Sequence, residues 1–187
     1  MKEGKFNHIG LSEVSASTIR RAYKIHPVAT VEIEHSIWYS EARTNRVLST
    51  CAELGIAVIA YSPLGRGVLA GKWKSYDDVP AWLKARQPRY ATEELFKSNS
   101  KIVDIIEKIA ERKGVTTAQV AINWALREGD HVIPIPGAVS IEKVEENLGA
   151  TNIELTKEDL NEIEEARKRL EVVGDRYGGH QEELLWA

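Results

Sequence analysis

Two hydrophobic periods alternate along this chain. Short apolar runs at residues 6–11, 28–33, 56–60 and 132–135 predict strands, and the segments between them, with apolar residues three and four apart, predict helices. The run at 56–60 is too apolar and too short for an amphipathic helix and suits a parallel strand covered on both faces. Ser15 or Ser17 caps a helix through residues 19–23, which His26-Pro27 ends. Ser40 opens a second helix through residues 47–54, closed by Gly55. Helices are expected at 99–113 and, after Gly114, at 117–127. Pro136-Gly-Ala turns the chain into another from Ser140, and the last starts at Thr156 and runs to about Leu170, Asp159 giving a weak capping box. Residues 72–98 read as irregular and, too long for an ordinary connection, as a flap over a site. The Gly-rich tail 173–187 reads as loop.

Four strands each followed by a helix predict an α/β protein with a parallel sheet and right-handed crossovers. Such units close a (β/α)8 TIM-type barrel at eight, so four make a half-barrel. The 187 residues allow one core.

Charge narrows the function. A net charge of −3, from 25 basic and 28 acidic residues spread along the chain, gives no footprint for nucleic acid or acidic membranes. The single Cys51 excludes an internal disulfide or a cysteine-rich metal site and suits a reducing, cytoplasmic setting. No apolar run approaches the ~20 residues that span a bilayer.

The densest candidate chemistry follows the third strand. Tyr61-Ser-Pro-Leu-Gly-Arg-Gly67 offers a ring, two hydroxyls, backbone N–H groups and glycines that permit close approach, a combination suited to a flat, phosphate-bearing cofactor.

Taken in order, Ile9-Gly-Leu-Ser-Glu13, Val31-Glu-Ile-Glu-His-Ser36, Ala60-Tyr-Ser-Pro-Leu-Gly65, Ile133-Pro-Ile-Pro-Gly137 and Glu146-Asn147 resemble the aldo-keto reductase superfamily over nearly the whole chain. The resemblance implies the C-terminal half of a TIM barrel, from its fifth strand onward, that uses NADPH to reduce a small carbonyl substrate. Glu13 and Glu32 stand where Asn and Gln are usual, and with Arg176-Tyr177 they resemble the fungal pyridoxal reductase branch.

By the same resemblance Tyr61 stacks on the nicotinamide, and Ser12, Glu13 and Glu32 surround its carboxamide. Ionised carboxylates only accept hydrogen bonds, so they suit the amide NH2 and not its carbonyl. Ser62, Pro63, Leu64, Gly65 and Arg66 contact the pyrophosphate through N–H groups, a hydroxyl and charge. Lys72 adds a cation, with Arg89 a weaker candidate from the flap. Gly137, Lys143, Glu146 and Asn147 hold the 2′-phosphate and adenine, Lys143 supplying charge without the fork of the Arg common in relatives. The plain alternatives are a strand-capping Tyr61, a tight Pro-Gly turn, solvated surface cations and a Glu32 paired across the barrel interior. His35 and Trp38 either line the substrate mouth or pack.

The family's chemistry needs a Tyr acid tuned by Lys and Asp, with a His near the carbonyl oxygen. In relatives all four come from the first half, and none of Tyr23, Tyr39, Tyr76, Tyr90 or Tyr177 has a matching context, so no catalytic residue is assigned. Two functions stand side by side. One is the cofactor half of a reductase, inactive alone; the other is a non-catalytic nucleotide-binding or interaction module. A half-barrel's open edges predict homodimerisation, or a truncated product that folds poorly.

Overall fold

A computed structural model describes residues 3–187. Four parallel strands, β1 (Gly10–Ser12), β2 (Thr30–Glu34), β3 (Ala57–Tyr61) and β4 (Val132–Ile135), lie side by side in sequence order. Helix α1 (Ala16–Ile25) links the first pair and α2 (Val47–Leu54) the second. Between β3 and β4 run α3 (Ala81–Arg86), α4 (Glu93–Lys113) and α5 (Thr117–Leu126). Beyond β4 come α6 (Ile141–Gly149), α7 (Lys157–Arg169) and a last turn, α8 (His180–Glu183).

The period-2 alternation of strand side chains assigns the two sheet faces. Val31, Ile33, Val58, Ala60 and Val132 are buried together with Ile19 of α1 and Val47, Leu48 and Cys51 of α2. On the other face the register lines up two ladders, Ser12–Glu32–Ile59–Ile133 and Glu34–Tyr61–Ile135. Helices do not cover these ladders: Ser12 and Glu32 are exposed, as are Ile133 and Ile135 at 47% and 45%. A second core joins α3, α4, α5 and α7 to the loop after β3, with Leu69, Leu83, Ile106, Trp124 and Ile163 fully or nearly fully buried.

Five local expectations change. The first strand pairs only from Gly10, where its register with Thr30 begins, and Phe6 is 52% exposed. Ser40 opens a 3-10 turn at Glu41–Arg43; Arg46, at φ +71°, interrupts the path before α2 starts. Residues 72–98 are not irregular: they hold α3 and the start of α4, and Val79, Leu83, Tyr90 and Phe96 are buried in the second core. Helix α4 begins six residues early, because the Thr92 hydroxyl accepts the Leu95 N–H at 3.2 Å and Glu93 and Glu94 occupy the first turn. The box at α7 is complete, Asp159 accepting the Thr156 N–H at 2.8 Å despite its short side chain. Ser15, rather than Ser17, caps α1, and Gly55 ends α2 in the left-handed conformation as expected.

Candidate functional site

The C-terminal ends of the strands carry the candidate site, the usual ligand position in parallel α/β sheets. The end expected to take a dinucleotide lies between the loop after β3 and the first turns of α6. Tyr61 leads into Ser62 and Arg66, at φ +52° and +56°, with Gly65 and Gly67 at +51° and +103°, so the chain coils sharply. Non-glycine residues in this region are uncommon and mark local constraint. Three contacts hold the coil: the Gly65 N–H donates to the Ser62 carbonyl at 2.9 Å, the buried Tyr90 hydroxyl donates to the Gly65 carbonyl at 2.8 Å, and the Gly67 N–H donates to Leu64 at 2.9 Å.

Beside the coil is a cavity of about 570 Å³ lined by Ser62, Pro63, Leu64, Arg66, Lys72, Gly137, Lys143, Glu146 and Asn147, all expected cofactor contacts. That volume falls within the range of small-molecule sites. Ser140 caps α6, placing the positive end of its dipole beside the cavity. Lys143 pairs with Glu146, whose carboxylate burial works to raise; the hydrogen bonds from Lys143 and Thr116 outweigh this and hold it below its ordinary range. Gln119 fixes Glu146 further by donating to its backbone carbonyl at 3.0 Å. Lys72 is exposed, its ammonium 4.5 Å from the Trp73 ring centroid.

Gly65 departs from the expectation: it is absent from the cavity wall, and its N–H is engaged within the loop. A Cβ there would meet Leu69 at 3.1 Å and Trp38 at 3.3 Å, so its smallness serves close packing. Arg89 points away too, its Nε donating to the Gly174 carbonyl at 3.1 Å and its guanidinium lying 5.2 Å from the Tyr39 ring.

The ring end centres on Tyr61 and differs most from expectation. Glu13, at φ +52°, turns its carboxylate back to accept the Glu34 N–H and the Tyr61 hydroxyl, both at 2.7 Å. Arg176 from the tail grips the same carboxylate in a fork, at 2.6 and 3.0 Å, and donates to the Tyr61 oxygen at 2.6 Å. Its Nε lies 3.0 Å from Glu34, an ion contact whose angle is poor for a hydrogen bond. The Arg176 side chain is 0% exposed, 4.1 Å from the Tyr39 ring centroid and 6.0 Å from that of Tyr61. Burial alone would favour loss of its proton, but Glu13 and Glu34 hold it firmly charged. Burial and then the Glu13 and Tyr177 hydrogen bonds push the Tyr61 phenol far above its ordinary range, so it stays protonated. Burial also raises Glu34, with Arg176 opposing.

Glu13 therefore already has partners at the expected carboxamide position, while Ser12 and Glu32 stand exposed on the uncovered face. Glu34 was not singled out from sequence, although the alternation Val31, Glu32, Ile33, Glu34 places both acids on one face. His35 packs, fully buried and stacked on Trp124 at 5.3 Å; burial, with Arg43 and Arg167 nearby, lowers its pKa to about 3. Trp38 packs against Tyr90 at 5.7 Å. Among the described residues no group of three or more His, Cys, Asp or Glu could hold a metal, and no helix is long and apolar enough to cross a membrane.

Comparison with known proteins accords with this arrangement. Residues 1–168 match the model of the Aldo/keto reductase family. The chain is 42% identical to probable aldo-keto reductase 1 of Glycine max over its whole length, 41% to aldo-keto reductase yakc [NADP(+)] of Schizosaccharomyces pombe over 95% of it, and 38% to aldo-keto reductase str7 of Strobilurus tenacellus over 94%. It spans 53% of each of these relatives. Among solved structures, the glycerol dehydrogenase AKR11B4 of Gluconobacter oxydans superposes over 90% of this chain and 51% of its own, with a TM-score of 0.80 at 24% identity. The thermostable aldo-keto reductase Tm1743 covers 88% of this chain and 50% of its own, at 0.64 and 22%. These two likenesses bear on the fold, that of part of a TIM barrel, and the sequence matches go further: the chain belongs to the aldo-keto reductase family.

Proposed function

We propose that this chain supplies the NADPH-binding part of an oxidoreductase that reduces an aldehyde or ketone. The observation that carries the reading is the cavity of about 570 Å³, which gathers Arg66, Lys72 and Lys143 around Gly137 and the capped end of α6. Lys143 and the α6 dipole suit a 2′-phosphate, Arg66 and Ser62 a pyrophosphate, and Asn147 an adenine edge. The NADP(+) in the yeast relative's name supports the phosphorylated dinucleotide. When bound, NADPH would supply a hydride to a carbonyl carbon. Tyr61 would orient the ring, and the coil 62–67 would hold the phosphates in place.

Fluorescence titration with NADPH and NADH tests this reading. NADPH should bind more tightly, and the absence of binding at high micromolar NADPH would sink it.

A non-catalytic nucleotide-binding role is the second reading, and one observation favours it. Among the described residues, the tyrosine hydroxyls with hydrogen-bond partners meet Glu13, Glu41, Arg66, Arg176, another tyrosine or a backbone carbonyl, and never a lysine. We propose that the chain alone lacks turnover for want of an Asp, Tyr, Lys and His set. Assay against an aldehyde panel tests that claim, with pyridoxal included because of Glu13, Glu32 and Arg176-Tyr177; activity from the purified chain would refute it. The uncovered sheet face and the exposed Ile141, Val144 and Leu148 of α6 support self-association, read as a dimer or larger species by sedimentation.

A further inference from the structure

The tail crosses the ring end between two anchors. Upstream, the Asn99 side chain clasps Val173 with bonds of 2.8 and 2.9 Å, and Arg89 holds the Gly174 carbonyl. Gly174 sits at φ +96°, where a Cβ would meet the Arg89 backbone at 3.3 Å, and forms a tight corner. Downstream, the Trp186 N–H donates to the Glu13 carbonyl at 2.8 Å, the Ser15 N–H donates to Ala187 at 3.1 Å, and the Trp186 ring stacks on Tyr39 at 6.4 Å and 4°. Between the anchors, Arg176 and Tyr177 reach into the site.

There the Arg176 guanidinium stands at the hydroxyl end of Tyr61, donating to its oxygen at 2.6 Å with the cation 6.0 Å from the ring centroid, while Tyr177 meets the same hydroxyl at 3.2 Å. The Arg176 fork takes both oxygens of the Glu13 carboxylate, the acceptor that a cofactor carboxamide NH2 would use. Arg66 links the two ends: it lines the dinucleotide cavity and donates to the Tyr177 hydroxyl at 3.3 Å. A pyrophosphate that engaged Arg66 would withdraw one of the contacts holding Tyr177.

We propose that residues 174–187 form an occluding latch, with Arg176 holding the Glu13 carboxylate that the cofactor's carboxamide would use beside Tyr61, so that full NADPH binding requires the tail to release. The inference rests on the NADPH reading above. It predicts that ligands ending at the adenosine side bind regardless of the latch, whereas the complete dinucleotide competes with it.

Adenosine 2′,5′-bisphosphate and NADPH separate the two claims. Both are titrated by calorimetry against the full chain, against Trp186→Ala, which loosens the far anchor, and against Arg176→Met/Glu34→Gln, which removes the guanidinium while keeping charge balance. NADPH should bind the variants about tenfold more tightly, as when one state in ten is competent in the parent chain. The bisphosphate should bind all three alike. In the unsubstituted chain, saturating NADPH should speed tryptic cleavage between Arg176 and Tyr177, read by mass, and the bisphosphate should not; this arm decides the matter if the variants fail to fold. Bisphosphate binding to all three chains, with NADPH no tighter on the variants or protective of the Arg176–Tyr177 bond, would overturn the latch and leave the cavity reading intact. Failure of both ligands to bind would overturn both.

Discussion

At the dinucleotide end, Lys143 is 59% exposed and its carboxylate partner lies three residues away on the same helix. At the ring end, Arg176 is 0% exposed, and its partners Glu13, Glu34 and Tyr61 come from the ends of three strands, as far as 163 residues away in the chain. A local pair whose ammonium stays in water costs little to rearrange when a ligand arrives, even with its carboxylate, Glu146, only 18% exposed. A buried fork that joins distant elements is held by packing on every side, and removing one member leaves charge stranded away from water. One site thus combines an adaptable end with an over-determined one.

The sharpest break of this contrast is Arg176→Met. It should cost about 3–5 kcal/mol in urea unfolding, the penalty of a buried pair cut on one side, whereas a cost below 1 kcal/mol would place Arg176 in solvent. Next is Gly65→Ala in the coil joining the two ends. A Cβ at φ +51°, 3.1 Å from Leu69, should cost about 1–3 kcal/mol from strain and overpacking, read by the same unfolding assay.

The ends should also titrate in opposite directions. Glu146, held below its ordinary 4.5 by Lys143 and Thr116 against burial, contributes stability that is present above pH 4.5 and lost as pH falls through its lower folded value. Glu34, raised above 4.5 by burial against the pull of Arg176, carries a penalty absent below pH 4.5 that grows as pH rises through its folded value. Melting temperature followed across acid pH should therefore flatten on its low side in Glu146→Gln and on its upper side in Glu34→Gln; the same change in both would erase the distinction. The smallest effect on stability belongs to Lys143→Met, below about 1 kcal/mol as for an ammonium that stays in water. That variant should narrow the preference for NADPH over NADH, and an unchanged preference in titration would remove Lys143 from the phosphate site.

The lining of the cavity was legible in the sequence because its residues follow strands β3 and β4 closely. Each short connection leaves few positions for Arg66, Gly137 or Lys143 to occupy. The ring end was legible only in part. Tyr61 and Glu13 stand out as strand-end residues, but Arg176 reaches them from a Gly-rich segment that carries no periodicity, and no spacing rule links position 176 to position 13. Glu34 was within reach, since alternation along β2 places it beside Glu32, and register then puts it opposite Tyr61. The segment 72–98 was misread for a different reason. Val79, Leu83 and Tyr90 fall on or beside helical segments of three to six residues, too brief to show a period, and Phe96 lies in the first turn of α4; each finds a place in the second core. Thr92-Glu-Glu was a readable helix start.

The tail's place in the chain has a consequence for synthesis. Chains emerge N-terminus first, at about 5–20 residues per second, so every wall of the dinucleotide cavity, from Ser62 to Asn147, leaves the ribosome before Arg176 does. During that interval Glu13 and Glu34 have no guanidinium between them, and the Tyr61 hydroxyl has no cation against it. The nascent chain therefore passes through an interval in which the Glu13 carboxylate and the Tyr61 hydroxyl stand open, before Arg176 arrives to close them.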